Sequence, residues 1–348
     1  MIVDDSDLMR TLLHEIVEDS EHFRVVAQAR TGLEAIRLVH EVNPDIVTLD
    51  LEMPDLNGLE TLGYIMSEAP RPVVIVSSHT DSIGQSAIRA FDYGALEVVP
   101  KPAGDARREL DKLRARFLDA LEAARNARLD ALVPKSALQK LRERREQVVP
   151  AVEDSARSAI AIAASTGGPR AIAGILSALP GDLECALLVV QHMPARFTSL
   201  FAQRLDQISA LPVVEATRGE VLRSGHIYIA PGGKHLALRR RKGGIAVQLT
   251  EDEPLWGVRP SADVLFRDVA IHFGPASAGI VLTGMGRDGA DGLRSIQQVG
   301  GWTAVQDEAT SVIYGMPRNA LPFAARQFPL DAFASAITEV AGTLQRRR

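Results

Sequence analysis

The chain has 348 residues, 46% apolar and 24% charged, with a formal net charge of −5. That is enough for two domains, each burying its own core, with the balance of a soluble globular protein. The acidic balance counts against a nucleic-acid-binding protein, and one cysteine, Cys185 in the apolar run CALLVV, excludes a disulfide framework within the chain. No signal peptide and no apolar stretch of spanning length stand out, so a cytoplasmic protein without membrane insertion is expected.

From Met1 to about Gly104, short β-branched runs alternate with helical spacing. The strands are expected at Met1–Val3, Arg24–Ala27, Ile46–Asp50, Val73–Val76 and Glu97–Val99. Between them, Leu8/Leu12/Leu13/Ile16, Leu33/Ile36/Val39, Leu59/Leu62/Met66 and Ala87/Ile88/Phe91 carry the helix period. This alternation predicts a parallel sheet with helices on both faces, whose ligand site lies at the carboxyl ends of its strands. The residues falling there are Asp4, Asp5, Asp50, Ser77 and Lys101. Three carboxylates so placed repel one another unless neutralised, and a hard cation with oxygen ligands, Mg²⁺ above all, does this while leaving positions for a phosphoryl group. A solvated acidic rim is the plainer reading of any single aspartate there.

The segments VDDS, LDLEMPDLNG, VSS and PKP resemble the receiver domain of two-component response regulators, a flavodoxin-like fold with a five-stranded parallel sheet. The resemblance implies phosphorylation of Asp50 by a partner histidine kinase. It implies Mg²⁺ held by Asp4, Asp5, Asp50 and the backbone carbonyl of Glu52, with Ser77 and Lys101 sensing the phosphoryl group. The chain departs from the pattern in two ways. Its first strand, opening at Met1, is shorter than receivers usually carry, which leaves an upstream start as an expectation. Val98 also stands where an aromatic switch residue is common.

Residues 105–157 shift to a mixed-charge, Ala- and Arg-rich composition. Leu110, Leu113, Phe117 and Leu121 form a narrow stripe, read as the last receiver helix running on past Leu121 into a linker of roughly 25–30 residues. Acidic residues punctuate LRERREQ, so that run reads as a solvated face.

The remaining residues, 158–348, are read as a second domain, doubly wound and mostly parallel α/β. Ala159–Ala164 forms an apolar run that breaks at Ser165-Thr166-Gly167-Gly168-Pro169, after which Ile172, Ile175, Leu176 and Leu179 follow helix spacing. Ser165 therefore sits where a buried strand turns into a helix, either as a nucleophile, as a helix cap, or in a loop that cradles phosphate. His192 lies just past the strand Ala186–Val190, and Asp288 lies in the glycine loop after the strand Ala278–Thr283. Leu293, Ile296 and Val299 then begin a helical face, with Gly300 placed to end it.

Loops at one edge of a parallel sheet converge, so a serine, a histidine and an aspartate meet. Serine attacks a carbonyl, histidine takes its proton, and aspartate fixes the imidazole tautomer. Glycines around Met285 and Gly167 allow backbone N–H groups, with that of Thr166 a candidate, to meet the developing oxyanion. The order Ser…His…Asp differs from that of α/β-hydrolases, and Ala163 replaces the first glycine of their nucleophile elbow. His192 read alone is better taken as a core or capping residue. Capping of the following helix is an alternative for Asp288, and Asp291 is its competitor, but Asp288 is preferred because it lies in the loop that immediately follows the strand. No HxxxH or CxxC spacing supports a metal in this domain, and His226, His235 and His272 carry no pattern.

The segments ASTGGP, QHMP, FAQRLD, YIAPGGKHL, RPSADVLF, TGMGRDG and DEATSVIYGMP resemble the catalytic domain of the chemotaxis protein-glutamate methylesterases, the CheB family. The resemblance implies a triad of Ser165, His192 and Asp288, the Met285 N–H in the oxyanion hole, and no cofactor in the esterase site. Its implied substrates are glutamyl methyl esters on methyl-accepting chemoreceptors, with receptor glutamine deamidation as a second activity, switched on by phosphorylation of the receiver. Val258 stands where a histidine commonly precedes RPS. Two other functions fit parts of the chain: a response regulator whose output domain only binds a partner, and a serine esterase or amidase acting on other substrates.

Overall fold

A computed structural model of the chain describes residues 1–78, 81–102, 107–132 and 155–344. It forms two compact units, Met1–Leu138 and Gln139–Arg348. The linker expected within 105–157, with LRERREQ, falls largely on residues 133–154, outside the described ones.

The first unit holds strands β1 (Ile2–Val3), β2 (Gln28–Ala29), β3 (Val47–Leu49), β4 (Val73–Ser77) and β5 (Glu97–Pro100). They pair in parallel in the order β2-β1-β3-β4-β5, the flavodoxin-like arrangement expected. Its helices are α1 (Asp7–Glu18), α2 (Gly32–Val42), α3 (Gly58–Glu68), α4 (Asp81–Asp92), α5 (Arg107–Arg125) and the short α6 (Leu129–Leu132). Ser6, Thr31 and Asn57 cap α1, α2 and α3 by accepting backbone N–H bonds, so each helix begins where its free N–H groups find a side chain.

The second strand departs from expectation. The β-branched run Arg24–Ala27 contributes only the Ala27 carbonyl to β1, and pairing falls on Gln28–Ala29, where Ala29 is buried. The helical stripes also start a turn late. Leu8 and Leu33, in the first turns of α1 and α2, are 79% and 60% exposed, and Leu13, Ile16, Ala35 and Val39 make the buried contacts.

The second unit runs β6 (Ala159–Ala164), α7 (Gly168–Ala178), β7 (Ala186–Gln191), α8 (Ala195–Asp206), β8 (Val213–Glu215), β9 (Ile227–Ile229), β10 (His235–Arg241), β11 (Gly244–Thr250) and α9 (Ala262–Phe273). It continues with β12 (Ser277–Val281), α10 (Ala290–Gln298), β13 (Trp302–Gln306), α11 (Gly315–Ala320), β14 (Arg326–Phe328) and α12 (Phe333–Leu344). Seven strands form a parallel sheet in the order β14-β13-β12-β6-β7-β9-β8, and β10 and β11 pair separately as an antiparallel hairpin. β6 and β7 are buried along their whole length, as their unbroken apolar runs require of strands covered on both faces.

The chain winds outward from β6 through β7 to the edge strand β8, inserts β9 between β7 and β8, then returns to β12 and winds outward the other way. The order therefore reverses between β6 and β12, the place where open parallel sheets leave a crevice outside their carboxyl ends. α9 and α10 pack against this sheet through Phe266, Leu293 and Ile296. Their close approach depends on Gly292, where an added Cβ would lie 2.5 Å from Phe266 Cβ and 3.0 Å from Asp263 Cα. Gly300 and Gly301 end α10 by donating to the carbonyls of Gln297 and Ile296. A Gly292→Ala variant should lose about 1–3 kcal/mol of stability through overpacking. Urea unfolding of the full chain measures it, and a midpoint equal to that of the native protein would refute this account of the helix contact.

Candidate active site

Ser165 follows directly on β6. Its N–H donates to the Thr283 carbonyl at 3.0 Å, which ties the loop after β6 to the loop after β12. The two loops touch at Gly284, where a Cβ would stand 2.8 Å from Ser165 Cβ. Helix α7 begins with Gly167 as its N-cap and has no side-chain cap bond, so capping is not what the Ser165 hydroxyl does.

One residue past β7, His192 donates its N–H to the Ala164 carbonyl at 3.1 Å. The Gln191 side chain amide donates to both the Ser165 and the His192 carbonyls at 3.0 Å. Serine loop and histidine loop are thus clamped by one buried amide.

Asp288 Oδ2 meets His192 Nε2 at 2.8 Å. The same carboxylate, 2% exposed, accepts from Ser261 Oγ at 2.6 Å, Ala262 N–H at 2.6 Å and Asp263 N–H at 3.1 Å. It therefore sits on the N-terminus of α9, where free N–H groups and the helix dipole favour an anion. Burial alone raises the Asp288 carboxyl, but the bonds from His192, Ser261 and Ala262 outweigh it and hold the group below the usual carboxylate value. An ionised carboxylate only accepts, so the Nε2 of His192 carries a proton in this bond and Nδ1 is the ring nitrogen left facing away from Asp288.

This answers the alternative that Asp288 caps the helix following it. Gly289 is the N-cap of α10, without a side-chain bond, and Asp288 instead caps a helix that begins 26 residues earlier in the chain. The competitor Asp291 lies in the first turn of α10, its carboxylate 3.7 Å from Arg287.

Several members of the site have a role that no spacing indicates. His235, buried at the start of β10, accepts the Ser261 N–H on Nδ1 at 3.1 Å and faces the Glu253 carbonyl with Nε2 at 3.2 Å. It holds the residue that holds Asp288. Thr283 Oγ1 donates to the Thr166 carbonyl at 3.0 Å and accepts from Ile313 N–H at 2.9 Å, and Val312 packs against Gly167. The segment DEATSVIYGMP is thereby a buttress under the Ser165 loop. Met285 is 40% exposed, and its N–H donates to no group among the described residues.

The strand ends of the first unit gather as predicted. Asp4, Asp5 and Asp50 place carboxylate oxygens within 4.8 Å of one another. Lys101 Nζ lies 2.8 Å from Asp4 Oδ2 and 2.6 Å from Asp50 Oδ2. Burial pushes the Asp50 carboxyl up to about 6 against the pull of Lys101. Burial lowers Lys101, but Asp50 and Asp4 more than compensate and keep it above the usual lysine value. One ammonium among three carboxylates leaves negative charge for a divalent cation, and the oxygen-only donor set suits Mg²⁺. Ser77 Oγ is buried with no hydrogen-bond partner among the described residues, so its donor is available at this cluster. Glu52 N–H donates to Asp50 Oδ1 at 3.3 Å, which brings Glu52 beside the same cluster.

The CheB methylesterase family model matches residues 160–337, and the response regulator receiver domain model matches residues 1–113. A protein-glutamate methylesterase/protein-glutamine glutaminase of Pyrococcus horikoshii is 41% identical over 325 residues, covering 92% of this chain and 87% of that protein. One from Symbiobacterium thermophilum is 40% identical over 353 residues, covering 98% of this chain and 96% of that protein. The chain belongs to the CheB methylesterase family. In structure, the second unit is similar to the Thermotoga maritima CheB methylesterase catalytic domain, at 34% identity and a TM-score of 0.52, covering 53% of this chain and 98% of that one.

The Asp288 network carries a pH signature. A carboxyl held below its unfolded value stabilises the fold above about pH 4, and that contribution is lost as pH falls through the lower folded value. The stability gap between the native chain and Asp288→Ala should therefore be widest near neutrality and narrow below about pH 4. Denaturant unfolding across that range checks it, and a gap independent of pH would contradict the ionised network. Ser261→Ala should cost about 1–3 kcal/mol by leaving Asp288 Oδ1 short of a donor.

Proposed function

We propose that this chain is a carboxylic ester hydrolase that removes methyl groups from glutamyl methyl esters of methyl-accepting chemoreceptors, releasing methanol, under control of phosphorylation at Asp50. Deamidation of receptor glutamines proceeds through the same acyl-enzyme, with ammonia as the leaving group. The observation that carries the reading is the 2.8 Å bond between His192 Nε2 and a fully buttressed Asp288 beside the Ser165 loop. The substrate follows from family membership and from the names of the relatives, protein-glutamate methylesterase/protein-glutamine glutaminase.

Ser165 Oγ attacks the ester carbonyl while His192 Nδ1 takes its proton, because Nε2 is committed to Asp288. The imidazolium so formed is stabilised by the Asp288 carboxylate. The negative charge on the carbonyl oxygen meets the N–H of Met285, with Thr166 N–H as the second donor, a contribution of about 2.7–4 kcal/mol per donor. The C–OCH₃ bond breaks, methoxy oxygen takes the proton from His192, and methanol leaves. Water then attacks the glutamyl ester of Ser165, again giving its proton to His192, and a glutamate is released as Ser165 recovers its hydrogen.

In the receiver, residues 1–104, Asp50 is the phosphoacceptor, and Asp4, Asp5, Asp50 and the Glu52 carbonyl would hold Mg²⁺. Bound there, the cation neutralises the carboxylates and offsets charge on the phosphoryl oxygens. Ser77 and Lys101 bond those oxygens after transfer from a chemotaxis histidine kinase. The last receiver helix and linker fill 105–157 and the catalytic domain 158–348, in a protein that works in the cytoplasm without entering the membrane.

Methanol release from methylated receptor fragments tests both halves. Ser165→Ala should lower turnover at least about a thousandfold with the fold intact, and near-normal release would overturn the nucleophile assignment. With Mg²⁺ and a small-molecule phosphodonor the native chain should be activated and Asp50→Asn should not. Equal activation of the two would remove Asp50 from the switch.

A further inference from the structure

Trp256 occupies a backbone position that disfavours it. Leu255 and Val258 close a two-residue turn by reciprocal bonds of 3.2 and 3.1 Å, and both central residues, Trp256 and Gly257, have positive φ, 56° and 78°. Turns of this kind take Asn, Asp or Gly, and a bulky residue there is strained. Such strain persists only where the surroundings impose it, and it concentrates at functional positions.

The surroundings do impose it. Trp256 Nε1 donates to Asp263 Oδ2 at 2.8 Å, and that fully buried carboxylate also accepts the Gly292 N–H at 2.6 Å. The N–H of Asp263 is one of those that hold Asp288. The edge of the indole is thus anchored in the same network as the triad, while the residue remains 46% exposed.

The Arg287 guanidinium lies over the face of that indole, Cζ 4.2 Å from the ring centroid. Arg287 directly precedes Asp288 and stands two residues after Met285. It lies just before the N-terminus of α10, where a cation opposes the helix dipole, so helix stability does not account for it. Its nearest carboxylate among the described residues, Asp291, is a loose i,i+4 ion partner 3.7 Å away, beyond hydrogen-bond reach, and half of the side chain is open to solvent. Stacking fixes the plane of the guanidinium and leaves its fork of donors unspent, the geometry for taking a carboxylate on two bonds.

We propose that Arg287, held flat on Trp256, reads the free carboxylate of a residue neighbouring the ester-bearing glutamate, so that the enzyme prefers esters set in acidic helical segments. This rests on the esterase reading above and adds a specificity residue to it. The ester itself cannot be the ligand, since its carbonyl is directed to the oxyanion donors. The product glutamate shares the carboxylate chemistry and is separated from the neighbour by experiment.

The test uses the full chain and two helical peptides that carry the same methylated glutamate, one flanked by glutamates a turn away and one by glutamines. Methanol release should favour the acidic peptide by roughly tenfold in kcat/KM at low salt, through KM, with the preference fading as salt rises. Arg287→Ala and Trp256→Ala should bring the ratio close to one, and Arg287→Lys should restore part of it to the alanine variant. A ratio that survives Arg287→Ala, or a native ratio of one, overturns the proposal. So does an Arg287→Ala variant that differs only in inhibition by the product peptide. Release from neither peptide overturns the esterase reading, and this inference with it.

Discussion

The Asp288 carboxylate is buried, and a buried charge is tolerated only when its oxygens are fully bonded. Two of its four bonds come from backbone N–H groups in the first turn of α9, and one from Ser261 just before it. The fourth, from His192, is the only one that bears on chemistry directly. Much of the second unit follows from keeping this arrangement in place. α9 and α10 must lie close enough for a glycine at position 292, and the His235 ring at the start of β10 must accept the Ser261 N–H. His192 is thereby oriented by a helix end and a hairpin, Asp288 being the group that links them.

The strand-to-loop breaks were legible because buried parallel strands read as unbroken apolar runs and stop at glycine, serine or histidine. Ser165, His192, Asp50 and Lys101 all lie at the strand ends that pattern indicates. Asp288 was legible as a member of the site and illegible as a cap. Its bonding partners begin 25 residues upstream, and local spacing favours a bond to the adjacent helix. The role of His235 was illegible for a similar reason, although the residue stands in the segment YIAPGGKHL. A single buried histidine has no periodic signature, and its role exists only because β10 and the start of α9 come together in space. The misplaced second strand and the exposed Leu8 and Leu33 share another cause. β-branched and leucine-rich runs report a wish to be buried, but an edge strand and the first turn of a helix have little core to offer.

The two units set the same residue type to opposite tasks at the carboxyl edge of the same kind of sheet. Asp50 has one lysine, a single N–H from Glu52 at 3.3 Å and two carboxylates for company, so burial dominates and its carboxyl rises to about 6. Asp288 has a histidine, a hydroxyl and two N–H groups, so hydrogen bonding dominates and its carboxyl falls. The donors explain the difference in use. A carboxylate saturated by fixed donors has no free lone pair to attack anything and serves as a constant charge beside an imidazole. One that lacks them holds reactive oxygens, and a cation and a phosphoryl group supply what the protein withholds. Counting the hydrogen-bond donors around each buried aspartate therefore separates Asp50, the proposed phosphoacceptor, from Asp288, the proposed orienting carboxylate, without reference to any motif.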